Sequence, residues 1–271
     1  METSRSVNAF FASFFLIISL AGTGKASIVL MPANRLFGTS EFRVYSINQF
    51  PQWDRVLNHR YLQRLEITYP IDDENRCVKF RTESWCRLLK NAASLDQIAQ
   101  LEIVNSFFNN MPYRSDREAY GVSEYWATPT EFMARSGDCE DYSIAKYFAL
   151  RELGFDEDQM RIVILRDEIR GTGHAVLAVT LNQENLILDN TSDWIASDTT
   201  YKYYVPQYSL NETGFWVHSM TKTTELDDLL AISSGIELSE QEKSVLTMAL
   251  QRETEPGRVG RAGCCLYPLV Q

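Results

Sequence analysis

Histidine is scarce in this sequence, with three among 271 residues, and clustered Lys and Arg are lacking. The formal net charge is -10. Phosphate contacts need clustered cations, so nucleic-acid binding is excluded. A bilayer-spanning helix needs about 20 apolar residues. The N-terminal run from Val7 to Ala21 is shorter than that, and no cysteine follows it to carry a lipid. No internal repeat and no low-complexity tract is present. What remains is an ordinary globular composition, 45% hydrophobic and 23% charged, able to bury a substantial core without staples.

The N-terminus reads as an export signal. Arg5 precedes the apolar run, and Gly22-Thr-Gly-Lys-Ala-Ser27 follows it with small and polar residues. That is the layout of a secretory signal peptide, with cleavage expected between Ala21 and Ala26; the alternative is an uncleaved anchor. The expected product is an exported, periplasmic protein with no stable membrane insertion once the signal is removed. Residues 1–26 are the signal peptide, 27–219 one domain, and 220–271 a C-terminal extension. The extension is expected to be partly helical with a disordered tail from Glu255.

Five cysteines are present: Cys77, Cys86, Cys139, Cys264 and Cys265. In an exported protein Cys77 and Cys86 can pair across a short loop, or both can stay reduced and partly buried. Cys264 and Cys265 are adjacent, which strains a disulfide between them. Cys139 stands alone in mid-chain, as a nucleophile would.

Helical signals dominate the first half. Pro51 suits the first turn of a helix running to about Glu66. The segment from Thr68 to Arg87 is mixed. Ser94-Leu-Asp-Gln97 reads as a capping box, opening a helix with Ile98, Leu101, Val104 and Phe108 on its apolar stripe and an end near Asn109. Thr128-Pro-Thr-Glu131 is a second capping box. After Gly154 the period changes to strands: Arg161 to Arg166, His174 to Leu181, Leu186 to Asn190, Tyr201 to Val205 and Gly214 to His218. A four-residue loop, 182–185, joins the second and third. The expected class is α+β, with an antiparallel sheet packed on helices.

Within Ser136-Gly-Asp-Cys-Glu-Asp-Tyr142, Cys139 opens an apolar helix, whose dipole favours the thiolate. A cysteine nucleophile needs a base and a group to orient that base. His59 lies among charged neighbours and His218 ends a strand, both bland positions. His174 starts an apolar strand after Gly171-Thr-Gly173, and Asp189 ends its hairpin partner. The four-residue loop sets Asp189 opposite Ala178, four residues along from His174. Contact between them then needs an earlier turn, a bulge or strong twist. Asp138, Glu140 and Asp141 oppose ionisation of the thiol, a penalty that a bound cation would cancel; hard oxygen ligands suit calcium.

Gly137-Asp-Cys-Glu-Asp-Tyr-Ser-Ile-Ala-Lys-Tyr147, His174-Ala-Val-Leu-Ala-Val179 and Leu186-Ile-Leu-Asp-Asn190 together resemble the bacterial transglutaminase-like cysteine proteinases of LapG type. The likeness extends to Phe37-Gly-Thr-Ser-Glu-Phe-Arg43, Phe50-Pro-Gln-Trp53 and Tyr125-Trp-Ala-Thr-Pro-Thr-Glu131, covering most of residues 35–218 in order. It implies a papain/transglutaminase-like fold with the nucleophile helix on an antiparallel sheet. It also implies Cys139 as nucleophile, His174 as general base and Asp189 as orienting carboxylate. Calcium dependence follows, through Asp138 and Glu140 with Asp141 as an addition. The implied substrate is a large repeat adhesin cut near its N-terminus, which governs attachment and biofilm. The implied regulator is an inner-membrane cyclic di-GMP receptor. Trp126 and Tyr125 either wall the cleft or are ordinary core aromatics. The same three residue types would also serve a protein-glutamine acyltransferase, and the fold can exist as a non-catalytic binding module.

Overall fold

The computed structural model describes residues 28–30, 35–44, 50–66 and 82–219. The expected signal peptide, Cys77, the C-terminal extension, Cys264 and Cys265 lie outside these residues. The first helix is Pro51–Glu66 (α1), with its proline in the first turn as expected. Glu83–Ala92 (α2) follows, capped by the Thr82 hydroxyl accepting from Trp85 N at 3.3 Å.

The next helix is Gln97–Asn109 (α3), and its cap corrects the sequence reading. Asp96, not Ser94, is the N-cap, its Oδ1 accepting from Ala99 N at 3.0 Å. A carboxylate at that position adds charge–dipole attraction to the hydrogen bond. Leu101, Val104 and Phe108 are buried as expected, but Ile98 is 47% exposed and off the stripe. Short helices Asp116–Ala119 (α4) and Pro129–Arg135 (α5) come next. The Thr128–Glu131 capping box is present on α5.

Cys139–Glu152 (α6) is the central helix, and every residue from Cys139 to Leu150 is buried. A helix enclosed on all sides must lie inside the fold. Its entry is tight. A Cβ added at Gly137 would lie 1.9 Å from Asp141 Oδ2, so no other residue fits without displacing that carboxylate. Gly137→Ala is therefore expected to cost about 2–3 kcal/mol, read as a lowered thermal unfolding midpoint.

Among the described residues eight strands make one sheet: Ile28–Leu30 (β1), Ser40–Val44 (β2), Met160–Asp167 (β3), Thr172–Leu181 (β4), Glu184–Asp189 (β5), Ser192–Ser197 (β6), Tyr204–Leu210 (β7) and Phe215–Ser219 (β8). Their order is β1-β2-β8-β7-β3-β4-β5-β6, and all neighbours are antiparallel. The α+β class is thus as expected. Strand β6 has no counterpart in the sequence reading. The strand expected from Tyr201 begins instead at Tyr204, because Asp198–Thr200 forms a 3-10 turn that Tyr201 ends.

Side chains alternate along β3 and β4 between two cores. Ile162, Ile164, Leu177 and Val179 join the larger one, with Trp53, Trp85, Phe108 and Phe148 of the helices. Val163, Leu165, Val176 and Ala178 join a smaller one with Leu36, Ile187, Tyr201 and Tyr204.

Candidate active site

Topology brings the candidate residues to one end of the molecule. Helix α6 packs along β3 and β4, and a short turn at Glu157–Gln159 returns the chain into β3. The N-terminus of α6 therefore lies at the end of the sheet where β3 finishes and β4 begins. Cys139 opens α6, His174 lies near the start of β4, and Asp189 ends β5.

The hairpin that joins His174 to Asp189 is tighter than the sequence suggested. Asn182 and Gln183 alone form its turn, both at positive φ (49° and 67°), and Leu181 pairs with Glu184. Two left-handed residues give the turn whose twist suits a hairpin. Leu177 then pairs with Leu188. Carried one step on, the register sets Asp189 opposite Val176, two positions from His174 and on the same face. The earlier turn closes half of the four-residue offset, and β5 has an irregularity between Ile187 and Asp189 on its β6 side. His174 Nε2 lies 3.0 Å from Asp189 Oδ1.

Asp189 is closely held. Its Oδ1 also accepts from Thr191 N at 2.8 Å and Thr191 Oγ1 at 2.9 Å, and its Oδ2 accepts from the Tyr204 hydroxyl at 2.6 Å. Burial alone would raise this carboxyl. The His174 bond and charge, with the other donors, outweigh burial and hold it below the ordinary carboxylate range. It is an anion at any working pH.

Cys139 is fully buried, and its sulfur is disulfide-bonded in this structure. Its 3.4 Å approach to Glu140 Oε2 is thus a contact without a thiol proton. A nucleophilic role belongs to the reduced form. Cys86 is disulfide-bonded too; the suggested pairing with Cys77 falls outside the described residues.

A group of acids lies beside the sulfur. Oxygens of Asp116, Asp138 and Glu140 come within 4.8 Å of one another, and all three residues are buried. Burial, then the Asp138 charge, pushes Asp116 up to about 7. Burial, with neighbouring carboxylates, pushes Glu124 up to about 8 and Glu140 well above its ordinary range. Asp116 Oδ1 and Asp138 Oδ1 have no hydrogen-bond partner among the described residues. Buried, mutually repelling carboxylates with unpartnered oxygens fit a hard divalent cation.

Asp116 was not anticipated. Its signal was Ser115-Asp-Arg-Glu118, a capping-box pattern that forms α4 and buries Asp116 in its first turn. Asp141 corrects the expected ligand set. Its Oδ1 accepts from Ala127 N at 2.6 Å and its Oδ2 from Asp138 N at 3.3 Å, so both oxygens serve backbone amides. Asp141 holds the entry of α6.

Of the two readings of Trp126, the structure has the core aromatic. It is fully buried, packs edge-on to Trp53 with ring centroids 6.3 Å apart, and offers no surface to a cleft. Tyr125 is half-buried, stacked on Tyr120 at 4.2 Å, with its hydroxyl donating to Glu131 at 2.7 Å. His218 is a core residue between the Thr39 and Ser209 hydroxyls, each at 2.8 Å. Burial, then the Arg161 charge, lowers it to about 3, so it is neutral. His59 is exposed on α1.

The family described as bacterial transglutaminase-like cysteine proteinase (BTLCP) matches residues 68–224. The chain belongs to that family. Solved structures of Legionella pneumophila LapG are similar to it at 31% identity. One covers 66% of this chain and 97% of that chain, with a TM-score of 0.47. A calcium-bound form covers 66% and 98%, at 0.46. An EGTA-treated form covers 66% and 97%, at 0.47. No curated protein matches the chain.

One more ionisable group is buried near the His174–Asp189 pair. Lys146 on α6 is fully enclosed, and its Nζ has no hydrogen-bond partner among the described residues. Burial lowers it to about 7, against the opposing pull of Asp189 and Asp193. The unfolded lysine binds its proton up to about pH 10.4. Between about pH 7 and pH 10 the unfolded state therefore holds more protons, and stability rises with pH. Lys146→Met is expected to flatten that rise and to stabilise the fold by about 2–4 kcal/mol at pH 7. Chemical denaturation across that pH range measures both.

Proposed function

We propose that this proteinase is an exported, calcium-dependent endopeptidase that cuts a large repeat adhesin near its N-terminus. The observation that carries the reading is the His174–Asp189 pair, held at the sheet end where the Cys139 helix begins. The reduced Cys139 sulfur attacks a peptide carbonyl. His174 takes the thiol proton and returns it to the leaving amine, and water then releases the acyl group. Asp189 fixes the imidazole through Nε2, which leaves Nδ1 for the proton transfer. Backbone amides at the start of α6 suit the oxyanion.

Asp116, Asp138 and Glu140 would hold the calcium. A cation held there would neutralise the buried carboxylates that otherwise oppose a thiolate next door. The calcium-bound Legionella pneumophila LapG supports that choice of cation. In this reading the protein acts in the periplasm, trims a surface adhesin to control attachment and biofilm, and is sequestered by an inner-membrane cyclic di-GMP receptor. Those three elements follow from the resemblance of residues 35–218 to LapG-type proteases.

Product analysis tests the reaction class. The reduced protein, calcium and an adhesin fragment are incubated with a labelled primary amine. Hydrolysis predicts two fragments with a new free carboxylate and no amine incorporated. Amine attached to glutamine, with the chain intact, would make the protein an acyltransferase instead.

A further inference from the structure

Tyr204 makes the one hydrogen bond to Asp189 that comes from β7, on the far side of β3 and β4. Its hydroxyl donates to Asp189 Oδ2 at 2.6 Å, the oxygen opposite the one that meets His174. Its ring also lies against the His174 imidazole, centroids 5.7 Å apart and tilted by 57°. The ring is held in turn by Tyr201, stacked at 5.1 Å and within 8° of parallel, and by Tyr203 edge-on at 4.8 Å. Tyr204 is itself buried, so it occupies one position.

We infer that Tyr204 is a positioning residue for the triad, clamping the Asp189 carboxylate and the His174 ring into the geometry that general-base catalysis needs. This rests on the catalytic reading above. A carboxylate bonded on both oxygens cannot rotate, and the imidazole bonded to it keeps its tautomer. The phenol also draws off part of the carboxylate charge, which moderates how strongly Asp189 holds the imidazolium. Burial and the Asp189 charge raise Tyr204 above its ordinary value, so the hydroxyl keeps its proton and remains a donor.

Tyr204→Phe removes the clamp and also the hydroxyl's interaction with Arg170, so Arg170→Gln, which loses only the latter, is measured beside it. Tyr201→Phe is the control: it deletes the hydroxyl of the stacked neighbour, which bonds no described residue. Two readouts are taken on reduced protein. The first is kcat and KM for adhesin cleavage against pH. The second is the titration of the His174 imidazole followed by NMR in saturating calcium, and it needs no substrate. For Y204F, kcat is expected to fall about ten-fold, the weight of one hydrogen bond to a charged group, with KM unchanged. The upper limb of the kcat profile moves to higher pH, and the His174 titration moves with it, because the unclamped carboxylate stabilises the imidazolium more. Y201F leaves both profiles in place.

A purely structural role would lower the unfolding midpoint in both variants and move neither profile; that result overturns the inference. If Y204F does not fold, 3-fluorotyrosine at position 204 preserves size and strengthens the donor. The profiles then shift in the opposite direction, and unshifted profiles overturn the inference equally. A shifted His174 titration in a protein that cleaves nothing would leave the clamp standing and refute the peptidase reading.

Discussion

Cys139→Ala is expected to reduce cleavage of an adhesin fragment to background, a loss of about 10⁴-fold or more. The comparison belongs in reductant, because the parent sulfur is disulfide-bonded in the oxidised form. Under reducing conditions the two proteins differ by one buried sulfur, and thermal unfolding should separate them only slightly. His174→Ala should cost nearly as much, and the double variant little more than either single one, since nucleophile and base act as a unit. Asp189→Asn should cost less. It keeps the shape of the hairpin end but exchanges an acceptor bonded to His174, Thr191 and Tyr204 for an amide that cannot satisfy all of them.

The second large effect concerns the acids beside Cys139. Chelation is expected to abolish activity, and calcium to restore it. Glu140→Gln or Asp116→Asn should remove the restoration. The physical ground is the elevation of these carboxyls by burial and by each other's charge. A carboxyl raised in the fold binds more protons folded than unfolded, so stability falls as pH rises through that interval. In chelator, Asp116 alone makes the protein less stable between about pH 4 and pH 7, its raised value. Saturating calcium should erase that decline, because a ligand that binds only the folded state stabilises it. Asp116→Asn should also flatten it, without calcium. Unfolding midpoints at pH 5 and pH 7, with chelator and with calcium, read out the whole pattern.

The fold class and the site positions were legible in the sequence for specific reasons. The switch from helical to strand periodicity after Gly154 announced α+β, and the Thr128–Glu131 capping box located α5. The pairing of His174 with Asp189 was legible in kind but not in register. Asn182 and Gln183 are not the glycine-containing pairs that advertise a two-residue turn, yet both take left-handed φ. Strand β6 was missed because Ser192-Asp-Trp-Ile-Ala-Ser197 carries little apolar alternation and its edge faces solvent, with Trp194 66% exposed.

The acidic residues show a different limit. Asp138, Glu140 and Asp141 look alike in sequence, adjacent and within one helical turn. Only the backbone amides of Ala127 and Asp138 distinguish Asp141, and neither partner is predictable from local pattern. Asp116, 22 positions before Asp138, takes the place expected of Asp141 in the cluster because α4 folds back against the start of α6. Tyr204 is hidden for the same reason: its contact with Asp189 is made across the sheet.

The most direct measurement is cleavage of a purified adhesin fragment by the reduced protein, followed in excess calcium and in excess chelator, beside Cys139→Ala. Discrete cleavage is expected from the parent in calcium and none in the other two conditions. Full cleavage in chelator would contradict the cation's role, and cleavage by Cys139→Ala would contradict the assignment of the nucleophile.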